Sequence, residues 1–288
     1  MNETVFRNAR IVLPDEIVEG AVVVRDGVIA EIGDSGGRVG VGVDLEGDWL
    51  LPGLVELHTD HLEGHYSPRP KVRWNPFAAV QAHDAQIASS GITTVFDAIR
   101  IGVDEDTRLT AGDMRTLGVA ISDSQTGGRL RAEHFIHLRC EVSAADAIES
   151  FSHFIDEQRV RLASLMDHTP GQRQFTSLDA FKAYYGGKSG MSDVELQSFI
   201  ERRTAQADIY SAKQRREIAD ICRERGIILA SHDDATSEHV AEAVEMGVSL
   251  AEFPTTMEAA RLSREAGMKI LMGAPNIVRG GSHSGNIA

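Results

Sequence analysis

Cysteine is almost missing from this chain. Cys140 and Cys222 are the two present in 288 residues, too few for a disulfide framework and in keeping with a reducing compartment. Positive charge is also short: Lys and Arg total 29 against 43 Asp and Glu, a net charge of −14. Such a balance disfavours general binding to nucleic acid or to an anionic membrane surface. No run of about 18 apolar residues offers a membrane span, and the opening M-N-E-T-V-F-R has no apolar signal core. These deficits read as a cytoplasmic soluble protein, and an anionic substrate would need a local basic patch. The hydrophobic fraction of 42% and charged fraction of 25% are ordinary for a globular chain. The length suits one large core with a small second domain.

Residues 1–50 read as a small β domain. Its runs Val5–Phe6, Ile11–Leu13, Ala21–Val24 and Val28–Ile32 are short and rich in β-branched residues, with Asp26-Gly27 as a hairpin turn. Gly33–Gly42 reads as a loop. From residue 51 to 288 the pattern changes to apolar strands alternating with helical segments. Strands are expected at Leu54–His58, Thr93–Phe96, Phe135–Cys140, Leu162–Met166, Ile227–Ser231, Ser249–Phe253 and Ile270–Met272. Helical stretches include Ala78–Ser90, Ala144–Asp156, Ala212–Arg225 and Ser237–Met246. This alternation means α/β with a parallel sheet. Polar residues gather just after strand ends: His58 and Asp60, Asp97, Glu141, His168, and His232-Asp233-Asp234. Chemistry drawn from the ends of several strands favours a (β/α)8 TIM-like barrel over a doubly wound sheet.

The densest chemistry lies in L-L-P-G-L-V-E-L-H-T-D-H-L-E-G-H-Y-S-P-R-P, Leu50 to Pro70. As a strand it puts Glu56, His58 and Asp60 on one side, and an imidazole two residues from a carboxylate can seat a divalent cation. His58, His168 and His232 each end or directly follow an apolar run. With Asp60 and Glu141 they form a nitrogen and oxygen set suited to one or two ions such as Zn or Mn. His83, His153 and His239 lie in helical stretches and read as surface or packing residues; His134 starts a strand and His137 reads as buried within it. A Ser-His-Asp hydrolase is disfavoured because no G-x-S-x-G elbow is present. The Gly-Lys-Ser in Gly186–Gly190 is no P-loop, since the motif's first glycine would fall at Lys182; a lid or surface helical pair fits better.

The blocks L-P-G-L-V-E-L-H-T-D and G-I-T-T-V after a β-rich start resemble the amidohydrolase superfamily. H-T-D-H-L-E-G-H-Y-S-P-R-P, H-D-A-Q, L-M-D-H-T-P-G-Q-R-Q-F, A-S-H-D-D and V-R-G-G-S-H-S-G-N narrow the resemblance to the diphosphatases of the carbon–phosphorus lyase (phosphonate-degrading) pathway. That resemblance implies hydrolysis of α-D-ribose 1-methylphosphonate 5-triphosphate to the 5-phosphate with release of pyrophosphate. It implies metal binding at His58, Asp60, Glu141, His168 and His232, with Asp60 in place of a second His, and it adds His283 to the substrate-binding set. Superfamily members usually carry a further Asp at the end of an eighth strand. With seven strand candidates, the chain resembles a family member lacking its last strand.

An acidic protein that holds a triphosphate needs cations to meet the phosphoryl oxygens. Arg69, Lys71 and Arg73 directly follow the metal loop; Arg139, Arg173 and Arg279 stand beside other strand ends. Asp233 or Asp234 is the candidate proton shuttle. Partners are therefore a phosphorylated small molecule, with no nucleic acid and no membrane, and self-association is left open. Two other readings compete: an amidohydrolase that opens a cyclic amide or deaminates a ring, and a non-catalytic chain that binds metal or sugar phosphate.

Overall fold

The computed structural model describes residues 2–33, 42–102, 109–171, 173, 192–281 and 287. Most of the Gly33–Gly42 loop, the Gly186–Gly190 stretch and His283 lie outside the described residues. The chain divides into two compact units, Met1–Leu54 and Val55–Ala288.

The first unit is a sheet of β1 (Glu3–Val12), β2 (Ile17–Arg25) and β3 (Val28–Gly33), with short β4 (Val43–Asp44) and β5 (Trp49–Leu50) both pairing with β1. β1 is one strand where the sequence suggests two. Its register slips between Phe6 and Ala9, with Asn8 at φ +54°, and such a bulge interrupts the alternation of apolar residues. The Asp26-Gly27 turn joins β2 to β3 with both residues at positive φ, 49° and 83°, as a two-residue type I′ hairpin requires.

The second unit is a TIM-like α/β fold. Its sheet runs β6 (Leu54–Thr59), β7 (Ile92–Ile101), β8 (Glu133–Glu141), β9 (Val160–Met166), β10 (Ile228–His232), β11 (Leu250–Glu252) and β12 (Lys269–Leu271), neighbours in space in the order of the chain. Every neighbouring pair from β7 to β12 is parallel. Leu57 of the first strand and Leu271 of the last pack on one cluster with Leu162, Ala230 and Leu250, so the sheet curls. No eighth strand of this sheet is found among the described residues.

Helices follow the strands: α1 (His61–Tyr66), α2 (Pro76–Ser89), α3 (Ala111–Thr126), α4 (Ala147–Ser152), α5 (Asp193–Arg225), α6 (Ser237–Glu245), α7 (Met257–Glu265) and α8 (Ala274–Arg279). α5 extends well before the expected Ala212. Ser192 and Glu195 cap its start reciprocally, and Gly226 at φ +68° ends it. Its first half is rich in charge, so apolar periodicity alone does not reveal it. On β8, Ile136, Leu138 and Cys140 are fully buried among side chains of the helices, such as Leu117, Ile121 and Ile218. A strand alternates its faces, so Phe135, His137, Arg139 and Glu141 face the inside of the curl. β7 runs five residues beyond the expected Phe96. Asp97 is therefore within a strand, not after one, and lies on the helix side.

Candidate active site

The inward residues at the C-terminal ends of the strands meet at one place. His58 Nδ1 lies 3.3 Å from Glu252 Oε1, and His232 Nδ1 lies 3.1 Å from Glu252 Oε2. The His58 and His232 rings stack at 5.5 Å, with the Phe253 ring edge-on to both at 5.1 and 5.4 Å. Phe253 and Asp233, each directly after a strand, adopt φ of +52° and +56°. Such conformations cost non-glycine residues about 1–3 kcal/mol and persist where surrounding structure enforces them. Here the backbone N–H of Asp233 donates to Glu252 O and that of Phe253 to Leu271 O, both at 2.9 Å.

Two groups of ligand atoms overlap in this space: His58, His232 and Glu252, and His168, His232 and Asp233. His232 belongs to both, turning Nδ1 to Glu252 and Nε2 to Asp233, 3.5 Å away. His58 Nδ1 and Glu252 Oε1 are buried and make no hydrogen bond. Buried polar atoms without partners are costly, and a nitrogen facing a carboxylate oxygen is a donor set that a divalent cation satisfies. The residues fit such an ion. Glu252 is buried, which alone would raise its carboxyl, but the facing His58 and the hydrogen bond from His232 hold it well below the usual range.

Of the five residues expected as metal ligands, the structure brings His58, His168 and His232 into these groups. Glu141 stands behind His168. It accepts from the His168 ring Nδ1 at 2.6 Å, from the His168 backbone N–H at 3.2 Å and from Ser143 Oγ at 2.6 Å, with Arg203 Nη2 at 3.6 Å. A carboxylate on one ring nitrogen fixes the ring and leaves Nε2 for a ligand. Burial would raise the Glu141 carboxyl, yet His168 and Arg203 hold it far below its ordinary value. Asp60 takes a 2.7 Å bond from Arg139 Nη1. Its protein surroundings would raise it, but the charges of Arg139 and of the nearby histidines hold it low.

His137, read from sequence as buried, sits below the cluster. Its Nδ1 donates to Leu57 O at 3.0 Å and its Nε2 accepts from Ser164 Oγ at 2.7 Å, because a carbonyl can only accept. Burial lowers its pKa to about 3, so it is a neutral spacer between strands.

Of the two candidate shuttles, Asp233 faces His232, while Asp234 is enclosed by Arg173 and Ser231 Oγ. Arg173 also donates to Glu242 at 2.6 Å and is itself buried. Arg73 is drawn to Asp113 at 3.1 and 3.2 Å and lies over the Tyr66 ring. Arg69 and Lys71 are exposed. Sequence reasoning passed over Glu252; an acid ending an inward-facing strand was the available signal. It also passed over Arg100, which donates to both oxygens of Glu63 at 3.3 and 3.1 Å.

No family model matches the chain. It is 47% identical over 284 residues to the α-D-ribose 1-methylphosphonate 5-triphosphate diphosphatase of Escherichia coli (strain K12), a match that covers 99% of this chain and 75% of that protein. It is 26% identical over 231 residues to the imidazolonepropionase of Halobacterium salinarum (strain ATCC 29341 / DSM 671 / R1), covering 74% of this chain and 52% of that one. Among solved structures, 5-methylcytosine deaminase from Klebsiella pneumoniae liganded with phosphonocytosine superposes with a TM-score of 0.56 at 15% identity, over 93% of this chain and 65% of that one. An uncharacterized metal-dependent hydrolase from Pyrococcus horikoshii gives 0.54 at 11% identity, over 93% and 74%. These structures share the fold, and the high identity to the first relative decides the family: the chain belongs to the α-D-ribose 1-methylphosphonate 5-triphosphate diphosphatases, a family of hydrolases.

Proposed function

We propose that this protein hydrolyses α-D-ribose 1-methylphosphonate 5-triphosphate between its α and β phosphoryl groups, giving the 5-phosphate and pyrophosphate for the carbon–phosphorus lyase route in the cytoplasm. The observation that carries this reading is the 47% identity to the diphosphatase over 99% of the chain. Residues 51–288 form the hydrolase barrel, and residues 1–50 are the small β domain beside it in sequence. His58, His168, His232 and Glu252 hold one or two divalent ions, zinc or manganese, with Asp60 at the rim and Glu141 orienting His168. When bound, such an ion polarises a phosphoryl oxygen and makes water more acidic. The chain's own contribution is orientation and proton handling. Asp233 Oδ2, 3.5 Å from His232 Nε2, is placed to take the proton of the attacking water. Asp234, engaged by Arg173 and Ser231, keeps the loop after β10 in position. Arg69, Lys71 and, from the resemblance, His283 are the further substrate-binding residues of this reading.

The assay is pyrophosphate release from the ribose triphosphate by the full chain, with Zn and Mn varied. Stoichiometric pyrophosphate and 5-phosphate are expected; orthophosphate as the sole small product rejects the reading. The similarity to imidazolonepropionase favours one rival, hydrolysis of a cyclic amide, and turnover of such a ring with none of the triphosphate would replace the proposal.

A further inference from the structure

Two guanidinium groups lie side by side at the C-terminal ends of β7 and β8. Arg100 and Arg139 are partners in the strand register. Both are on the inward face, since the residues flanking them, Ile99, Ile101, Leu138 and Cys140, are buried against the helices. Each cation faces one carboxylate from the start of α1: Arg139 Nη1 is 2.7 Å from Asp60 Oδ1, and Arg100 Nη2 is 3.1 Å from Glu63 Oε2. The Arg139 side chain is only 14% exposed, whereas its partner Asp60 is 49% exposed, so the pair opens to solvent on the carboxylate side. A guanidinium has five donors. Arg139 spends one of its two Nη groups on Asp60, and its Nε is buried without a hydrogen-bond partner.

A surface ion pair of this kind contributes little to stability, and a buried one costs desolvation that a well-packed apolar pair would avoid. Neither accounts for two parallel Arg–carboxylate pairs with an unspent donor, set beside His58 and Glu252. A planar fork with free N–H groups is suited to phosphoryl oxygens, which it can bind through two parallel hydrogen bonds. Two of the other cations expected to serve the phosphates are committed differently, Arg73 to Asp113 and Arg173 to Asp234 and Glu242, and Arg69 and Lys71 are exposed.

We propose that Arg139, with Arg100 beside it, is the polyphosphate-binding pair of this site, and that Asp60 and Glu63 are the counterions that hold the two guanidinium groups in place before the anion arrives. The inference rests on the function proposed above and adds to it the residues that recognise the leaving pyrophosphate. The pair is substrate-binding and breaks no bond.

The probe is inorganic tripolyphosphate, titrated calorimetrically into the chelator-treated 288-residue protein, so that the readout does not depend on turnover. Arg139→Gln should weaken binding by about 10- to 100-fold, the range for a charge-assisted hydrogen bond lost at a buried site. Arg223→Gln should change it less than about three-fold, since Arg223 is exposed in the last turn of α5 and paired with Asp220. Should Arg139→Gln not fold, Arg139→Lys preserves the charge, loses the fork, and is expected to weaken binding by several-fold. Wild-type protein that binds no tripolyphosphate, or an Arg139 variant that binds it as well as wild type, overturns the inference. If wild type releases pyrophosphate while Arg139→Gln leaves both KM and tripolyphosphate affinity unchanged, the inference falls and the function stands. If binding depends on Arg139 but no pyrophosphate is released, the function falls and the anion site stands.

Discussion

Replacing Asp97 with Ala should destabilise the barrel more than any single substitution in the active site. Asp97 is fully buried on the helix side of β7, where His83 Nε2 lies 2.8 Å from one carboxylate oxygen and His134 Nδ1 lies 2.7 Å from the other. His134 reaches on to Asp84 Oδ1 at 3.3 Å, and Asp84 in turn accepts from the backbone N–H groups of Arg131 and Ala132. One carboxylate thus ties α2 to β7 and β8. Its loss leaves two buried imidazole nitrogens without a partner and His134 with one counterion. Breaking a buried pair by removing one member costs about 3–5 kcal/mol. For a chain of this size about 1 kcal/mol shifts Tm by about 2–4 °C, so the expected loss is about 6–20 °C.

The pH dependence gives a second check. Burial would raise the Asp97 carboxyl, but the hydrogen bonds from His134 and His83 hold it lower than usual. A depressed acid contributes stability above its unfolded value, about 4, and that stability fades as pH falls through the lower folded value. Burial would lower His134, but Asp97 and Asp84 raise it. A raised imidazole contributes fully below its unfolded value, about 6.5, and its share is lost as pH rises through the higher folded value. The gap between wild type and Asp97→Ala should therefore be widest between about pH 4.5 and 6.5 and should narrow in more alkaline buffer. Thermal melts followed by circular dichroism across that range test both parts. A Tm within about 2 °C of wild type at pH 6 would show that the network carries no net stability.

Two further outcomes are expected. Elemental analysis of the folded protein should give about one to two divalent ions per chain, and His58→Ala combined with His232→Ala should remove most of them; unchanged occupancy in the double variant rejects these residues as the metal seat. Gly102, at φ +88° just after β7, has no room for a side chain, because a Cβ would meet Ala144 Cβ at 2.8 Å and Glu141 O at 3.0 Å. Gly102→Ala should thus cost about 1–3 kcal/mol and displace Glu141 from His168, which a fall in metal affinity alongside the lower Tm would report.

Much of this was legible in the sequence because strands buried on both faces read as short apolar runs, and seven such runs lie between helical periods. His58 and His232 were visible for the same reason: each is a polar residue that closes an apolar run. Glu252 was harder to see. Its strand, Leu250–Glu252, has three residues and no β-branched side chain, and only the pairing of His232 with Glu252 in the parallel register puts the carboxylate between two imidazoles. Asp97 misled in an instructive way. A charge normally ends a buried strand, so the run from Thr93 was expected to stop at Phe96, which would leave Arg100 in a loop. Two imidazoles from other elements meet that charge, and no local pattern announces them, because His83 and His134 are 14 and 37 residues away. With Asp97 satisfied from the helix side, β7 continues to Ile101. The same continuation carries Arg100 inward to the strand's end, in register with Arg139, where an anion can meet both.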